Sequence, residues 1–542
     1  MKTILIPVLI FSCTTFQSHS QNLISKENLI KHTFTLGSDE FEGRGNGERG
    51  GEKAAQYLAN EFSKLNLKPL GNDSTYFQNI RMHGAKPLSV SELILYSEND
   101  KKTFSLWDDY LLYTTGEQTF IPAPLGLVFA GYGIIAPEYD YNDYQSVNVE
   151  GKIVVFLDGE PFSEDESYFD GEKPTLYSYA DVKQRVALSR GARGSILIPN
   201  NSDGSFHWWE KLKSEFSFED VTLAYSVTNS LALLFNPDIA GILFSNSGYS
   251  LDDIYDFQSK GYMLSFEMGS GISFRGEFKE RDFIASNIIG MIKGSDPELN
   301  DTYLIISAHY DHLGVGIPVK GDSIYNGVFD NASGVSALLE LARIFSKKEI
   351  KTGRSIIFLL LTGEEKGLLG SIYYTDNPVV PLYKTIANIN IDGIALFDNF
   401  KSIIGVGAEF STLTDFLDDV APENNVRVTQ IPEGFRNADA FSRSDQVAFA
   451  NAGIPSILVM EAPDYVSISK EDGLKKFIEY SEEIYHSPFD DLNQYMNFDA
   501  AFQHVDIIYD LCSLLADSEK APVWKNNSPY LNARLQSLAE KR

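Results

Sequence analysis

The sequence predicts an α/β protein: a mixed, largely parallel sheet flanked by helices and interrupted by a mostly β segment. Three observations predict it. From about residue 283, the apolar runs "NIIGMI", "TYLIISA", "SIIFLLL", "TIANINI" and "PSILVM" alternate with helical stretches, the pattern of strands buried on both faces. Between about 121 and 275, short β-type segments bounded by Gly, Pro and Asn ("GLVFAGYGI", "GKIVVFLDG", "RGSILIPN") outnumber helices, with one helix candidate at Asp181–Ser189. At 542 residues and 43% hydrophobic content the chain can bury more than one core, about two or three domains by length.

Taken in order, the first element is a secretory signal over residues 1–20. Lys2 precedes the apolar stretch Ile4–Phe11, which is too short to span a bilayer. Ser18-His19-Ser20 suits cleavage before Gln21, whereas Ile10-Phe11-Ser12-Cys13 is a loose lipobox that offers a lipid anchor at Cys13. Both routes place the protein outside the cytoplasm: periplasmic, extracellular or anchored at the cell envelope. No later segment is long and apolar enough to span a membrane. Residues 21–120 form the first part of the main domain. Here "FEGRGNGERGG" reads as a flexible connection, since no strand precedes it and no GK[ST] follows. Glu52–Leu65 places Ala55, Leu58, Ala59, Phe62 and Leu65 on one helical face. Residues 121–275 are an inserted, mostly β domain, 276–520 complete the main domain, and 521–542 form a polar, peripheral tail.

A formal charge of −30 excludes binding to nucleic-acid phosphates or an anionic membrane surface, and it attracts divalent cations. Only Cys13 and Cys512 occur. The mature chain therefore has at most one thiol, so no intrachain disulfide is possible and any metal site must use His and carboxylates. Cys512, in the apolar "IIYDLCSLLA", reads as an inert core residue.

Ligands of a parallel sheet sit at the carboxyl ends of its strands, and here those ends are rich in ligating groups. "TYLIISA" leads into His309-Tyr310-Asp311-His312, "SIIFLLLTG" into Glu364-Glu365, and "TIANINI" into Asp392-Gly393. Asp330-Asn331-Ala332-Ser333-Gly334 opens the helix Ser333–Phe345, whose buried face carries Val335, Leu338, Leu339 and Ala342; Tyr485-His486-Ser487-Pro488 lies in a loop. Each has a plain reading alone: a hydrogen-bonded loop histidine, a helix-capping aspartate, a solvated glutamate pair. Together they bring nitrogen and carboxylate donors without sulfur, a set that suits zinc, with manganese or cobalt as substitutes. A cation would also make the closeness of Glu364 and Glu365 favourable, where otherwise they repel.

His-x-Asp, Asp-Asn-Ala-Ser-Gly, Gly-Glu-Glu-x-Gly-x-x-Gly-Ser, Asn-x-Asp and Tyr-His-x-Pro occur here in one order. In that order the sequence resembles the di-zinc aminopeptidase family, which includes exported bacterial aminopeptidases and glutamate-carboxypeptidase-like enzymes. The resemblance covers nearly all of the mature chain. It makes "VFAGYGIIAPEYDYNDYQSVNVEGKIVVFLDGEP" similar to a protease-associated domain inserted in the catalytic domain. It implies two Zn2+ ions, one on His309 and Asp392, the other on Glu365 and His486, with Asp330 bridging and Glu364 as general base. Asp311 would orient His309, and Tyr485 would either hydrogen-bond the oxyanion or pack. His312 is the rival ligand, otherwise a supporting or surface residue. Asp445 would support the site, and Arg436 or Arg443 would meet a substrate carboxylate or make a surface salt bridge. The sequence departs from the family at Phe329, where an acidic residue commonly precedes the bridging aspartate, and at the inserted-looking "GVGIPVKGDSIYNGV". The implied function is an exported exopeptidase releasing N-terminal residues of peptides by metal-activated water. The alternatives are a carboxypeptidase for acidic residues, a single-zinc cyclotransferase, or a receptor-like binding protein without catalysis.

Overall fold

A computed structural model describes residues 23–98, 100–112, 120–165, 167–169, 171, 175–200, 208–226, 230–431 and 441–541. The expectations placed on residues 1–20, Cys13 and Arg436 fall outside them. A ten-stranded sheet forms the centre. Its four middle strands, in spatial order Ser355–Leu361, Tyr303–His309, Thr385–Asn390 and Ser456–Glu461, run parallel. Beyond them, Phe278–Ile292 and Phe77–Pro87 on one side run antiparallel to their neighbours, and on the other side Ser402–Val406 runs antiparallel to Ser456–Glu461. The sheet is thus mixed, as the sequence predicts, with its parallel strands gathered at the middle.

Those runs are buried on both faces, and the two-residue period of a strand decides which face each side chain joins. Leu304, Ile306, Ile356, Phe358 and Leu360 pack with the helices Lys26–Leu36, Arg49–Lys64, Gly334–Phe345 and Phe498–Asp517. Ile305, Ile357, Leu359 and Leu361 point the other way, toward Tyr374 and Phe449 on shorter helices. Cys512 is fully buried in the first of these layers.

A second, eight-stranded sheet takes its strands from Glu92–Tyr96 through Ser265–Arg275. It begins upstream of residue 121, with Glu92–Tyr96 and Lys101–Ser105, short strands that lack a long apolar run. The segment leaves and re-enters the main sheet at one point, since Pro87 pairs with Phe278. Midway it sends Asp220–Leu223 back to the main sheet's edge, against Phe77–Pro87.

Two loops depart from their sequence readings. "FEGRGNGERGG" is built structure: the turn Asp39–Arg44 leads into the helix Arg49–Lys64, and Arg44 is fully buried. The residues beyond 520 are anchored as well. Trp524 is buried and its indole N–H donates to the Gly453 carbonyl at 2.9 Å, ahead of a helix at Leu531–Ala539. No helix among the described residues is long and apolar enough to cross a membrane.

Candidate metal centre

Strand register brings the ligating groups level. His309 ends its strand opposite Leu361, just before the Thr362-Gly363 turn into Glu364 and Glu365. Ser307 pairs with Asn390, so Asp392 falls beside His309. Gly363 makes the turn at φ +71, where an added Cβ would come within 2.9 Å of Asn46 Nδ2. Asp330 sits on a helical turn at Val328–Ser333, directly before Gly334–Phe345, and caps nothing; its carboxylate faces the histidines instead.

His309 Nε2 lies 3.1 Å from Asp330 Oδ1 and 3.0 Å from Asp392 Oδ1. Its Nδ1 donates to the Asp311 main-chain carbonyl at 3.2 Å. A carbonyl only accepts, so the proton is fixed on Nδ1 and Nε2 is aimed at the carboxylates. Asp311 therefore meets His309 through its backbone carbonyl. The carboxylate accepts the Glu364 N–H at 3.2 Å. Burial alone would lower the His309 pKa, but the Asp392 and Glu364 charges hold it well above the ordinary value.

On the other side, Glu365 has a side chain only 3% exposed and lies between two imidazoles. Its Oε1 is 2.6 Å from His312 Nδ1 and its Oε2 is 3.1 Å from His486 Nε2. His486 Nε2 is also 3.4 Å from Asp330 Oδ2. Although flanked by two carboxylates, this buried nitrogen has no well-directed hydrogen bond. His312 is fully buried, hence no surface residue, and its short hydrogen bond to Glu365 marks it as that carboxylate's orienting partner. Burial and Asp330 push the Glu365 pKa up, but the His486 and His312 charges prevail and hold it below the usual carboxylate range. Burial acts on His486 in the opposite sense, yet Glu365 and Asp330 raise it to about 10.

Among the described residues, three groups of potential ligand atoms lie within 4.8 Å of one another: His309 with Asp330 and Asp392, His312 with Asp330 and Glu365, and His309 with Glu364 and Glu365. Proximity alone therefore does not separate the two glutamates; hydrogen bonding does, since Glu365 is engaged by His312. Burial pushes the Glu364 pKa well above the usual range against the His309 charge, and Asp392 and Glu365 push it the same way. The donor set fits a divalent cation on either side of Asp330: imidazole nitrogen and carboxylate oxygen, with His486 Nε2 otherwise orphaned.

Tyr485 stacks on His486, ring centroids 3.8 Å apart and planes 20° apart. Phe329 meets Tyr480 at 5.2 Å, adding an aromatic group beside Asp330 where the family commonly has an acid. Asp445 is buried, accepts from Ser371 Oγ at 2.5 Å and leaves its other oxygen without a partner. Burial raises its pKa to about 7. Arg443 is exposed, and its charge acts on Tyr485.

Three supporting residues went unread in the sequence. Asp490 accepts the Phe329 and Asp330 N–H groups at 3.0 and 3.1 Å and so holds the bridging loop from below. Asn331 donates to the Ile391 carbonyl at 2.9 Å and accepts the Gly393 N–H at 2.9 Å, joining the Asp330 and Asp392 loops. Arg44 lies under both histidine and aspartate loops. Asp490 stands four residues after His486, a position that would have drawn notice had the motif been read past Pro488.

Residues 287–511 match the model of peptidase family M28. A stretch of 125 residues is 32% identical to a probable zinc metalloprotease of Pyricularia oryzae, 23% of this chain and 22% of that protein. A stretch of 173 residues is 30% identical to the aminopeptidase YwaD of Bacillus subtilis, 32% of this chain and 34% of that one. The first curated relatives are thus matched over about a quarter or less of their own length. The fold is similar to that of the aminopeptidase from Aneurinibacillus sp. strain AM-1, with a TM-score of 0.57 at 19% identity, covering 92% of this chain and 96% of that one. Residues 287–511 are thus similar to peptidase family M28, and the curated relatives they match include probable zinc metalloproteases.

Proposed function

We propose that the protein is an exported binuclear zinc exopeptidase that removes N-terminal residues from peptides. One observation carries the reading: the two oxygens of Asp330 face different imidazoles, Oδ1 toward His309 at 3.1 Å and Oδ2 toward His486 at 3.4 Å. His309, Asp392 and Asp330 would hold one ion; Glu365, His486 and Asp330 would hold the other. Two such ions, when bound, polarise a scissile carbonyl and supply a nucleophile at neutral pH. Glu364 accepts the proton of the attacking water at its carboxylate and passes it to the leaving amine nitrogen. Its raised pKa suits an acceptor that must also give the proton back. The eight-stranded unit would be the protease-associated insertion.

The Tyr485 hydroxyl is assigned to the developing oxyanion. Burial and the Asp330, Glu365 and Glu364 charges raise its pKa far above the ordinary value, so it remains a donor throughout. Tyr485→Phe is expected to lower kcat by about 10²-fold, the scale of one lost oxyanion donor, with KM nearly unchanged. An unchanged kcat would reduce Tyr485 to a packing residue against His486. The function itself is tested by assaying aminoacyl-anilides, their N-acetylated forms and a C-terminal peptide library, with and without chelator. Chelator-sensitive turnover of the free-amine anilides alone is expected. Cleavage confined to C-terminal residues would shift the reading to a carboxypeptidase.

A further inference from the structure

We infer that Arg44 is a positioning residue for the metal centre, tying together the two backbone loops that carry His309 and Asp330. The inference rests on the binuclear reading above. Arg44 is fully buried. Its Nε donates to the Tyr310 carbonyl at 2.7 Å, next to His309. Its Nη1 donates to Asn326 at 2.5 Å and its Nη2 to Gly327 at 2.8 Å, on the approach to Asp330. A further Nη1 bond reaches the Leu36 carbonyl at 2.9 Å, at the end of the first helix.

One planar fork thus spans both ligand loops, and the main chain adds to it. The Arg44 carbonyl faces the His312 N–H at 3.4 Å, and Gly45 forms an isolated bridge with His312. The loop is gripped from its other side too: Arg281 donates to the Gly47 carbonyl at 2.6 Å while paired with Glu219 of the inserted segment. Burial lowers the Arg44 pKa to about 10, and Asp330, Asp490, Asp311 and Glu365 oppose that shift. The group therefore stays charged at neutral pH. Its hydrogen bonds all go to backbone carbonyls, which suits a residue that shapes the ligand loops without taking a ligand oxygen. Lysine presents its donors at a single point and cannot make this span.

The test uses Arg44→Lys and Arg44→Ala in the full chain. Each variant is stripped of metal, checked for its melting temperature, and titrated with zinc against a chromophoric chelator. Zinc affinity is expected to fall by about 10–100-fold, the usual cost of losing a group that orients metal ligands. kcat is expected to fall more than KM changes, and added guanidinium is expected to restore zinc affinity to Arg44→Ala. Variants that bind zinc as tightly as the parent, or that lose only melting temperature, would overturn the role. So would failure of both variants to fold even with guanidinium present, which would assign Arg44 to folding alone. A parent that retains no zinc would bring down the binuclear reading and this inference with it. A parent holding two ions beside variants that hold them equally well overturns Arg44 alone.

Discussion

Glu364→Gln is expected to lower kcat by about 10²–10⁴-fold, or roughly 3–5 kcal/mol of barrier, while the protein keeps its zinc. Glutamine preserves the size and polarity of the side chain but cannot accept and return a proton. The metal sites should survive, because the contacts of Glu365, Asp330 and Asp392 with the histidines do not pass through Glu364. The main-chain bond from the Glu364 N–H to Asp311 also remains. Burial and the neighbouring carboxylates disfavour charge on this carboxyl, so a neutral amide there should not destabilise the fold. Steady-state kinetics with zinc analysis of the same preparation separate the outcomes. Full turnover with metal in place would remove Glu364 as the base, and loss of zinc along with activity would make it a ligand.

The second large effect is expected at the bridge. Asp330→Ala should abolish measurable turnover and weaken both ions at once, since each loses a shared carboxylate oxygen. The loss should exceed the about 10–100-fold that removal of an orienting neighbour costs in metal affinity. Both histidines would also lose a partner held within hydrogen-bonding range. Glu365→Ala provides the contrast, because it should weaken the ion on the His486 side and leave the His309–Asp392 pair intact. Zinc titration of the two variants decides it. If Asp330→Ala released one ion and left the other at parental affinity, Asp330 would not bridge.

The strand ends were legible in the sequence for a physical reason. Strands buried on both faces read as unbroken apolar runs, and their terminal polar residues stand out against that background. His309, Glu364, Glu365 and Asp392 were found in this way, and register then explains why they meet. The residues that hold the site were harder to read, because their work is done through backbone groups far away in sequence. Arg44 looked like part of a flexible glycine loop, yet its conformation has φ +51 and its bonds reach across more than 260 residues to Tyr310. Asp311 acts through a carbonyl that any residue could supply. The burial of His312 depends on contact with the Arg44 loop, which neither segment shows alone. The start of the second sheet at Glu92 was hidden because its first strands are short and partly exposed.

The central claim is a pair of ions bridged by Asp330. Metal-free protein should be loaded with excess zinc, gel-filtered, and its zinc and protein content determined by elemental and amino-acid analysis. Two zinc ions retained per chain are predicted. Retention of one ion or fewer by protein that is folded and fully loaded would contradict the account.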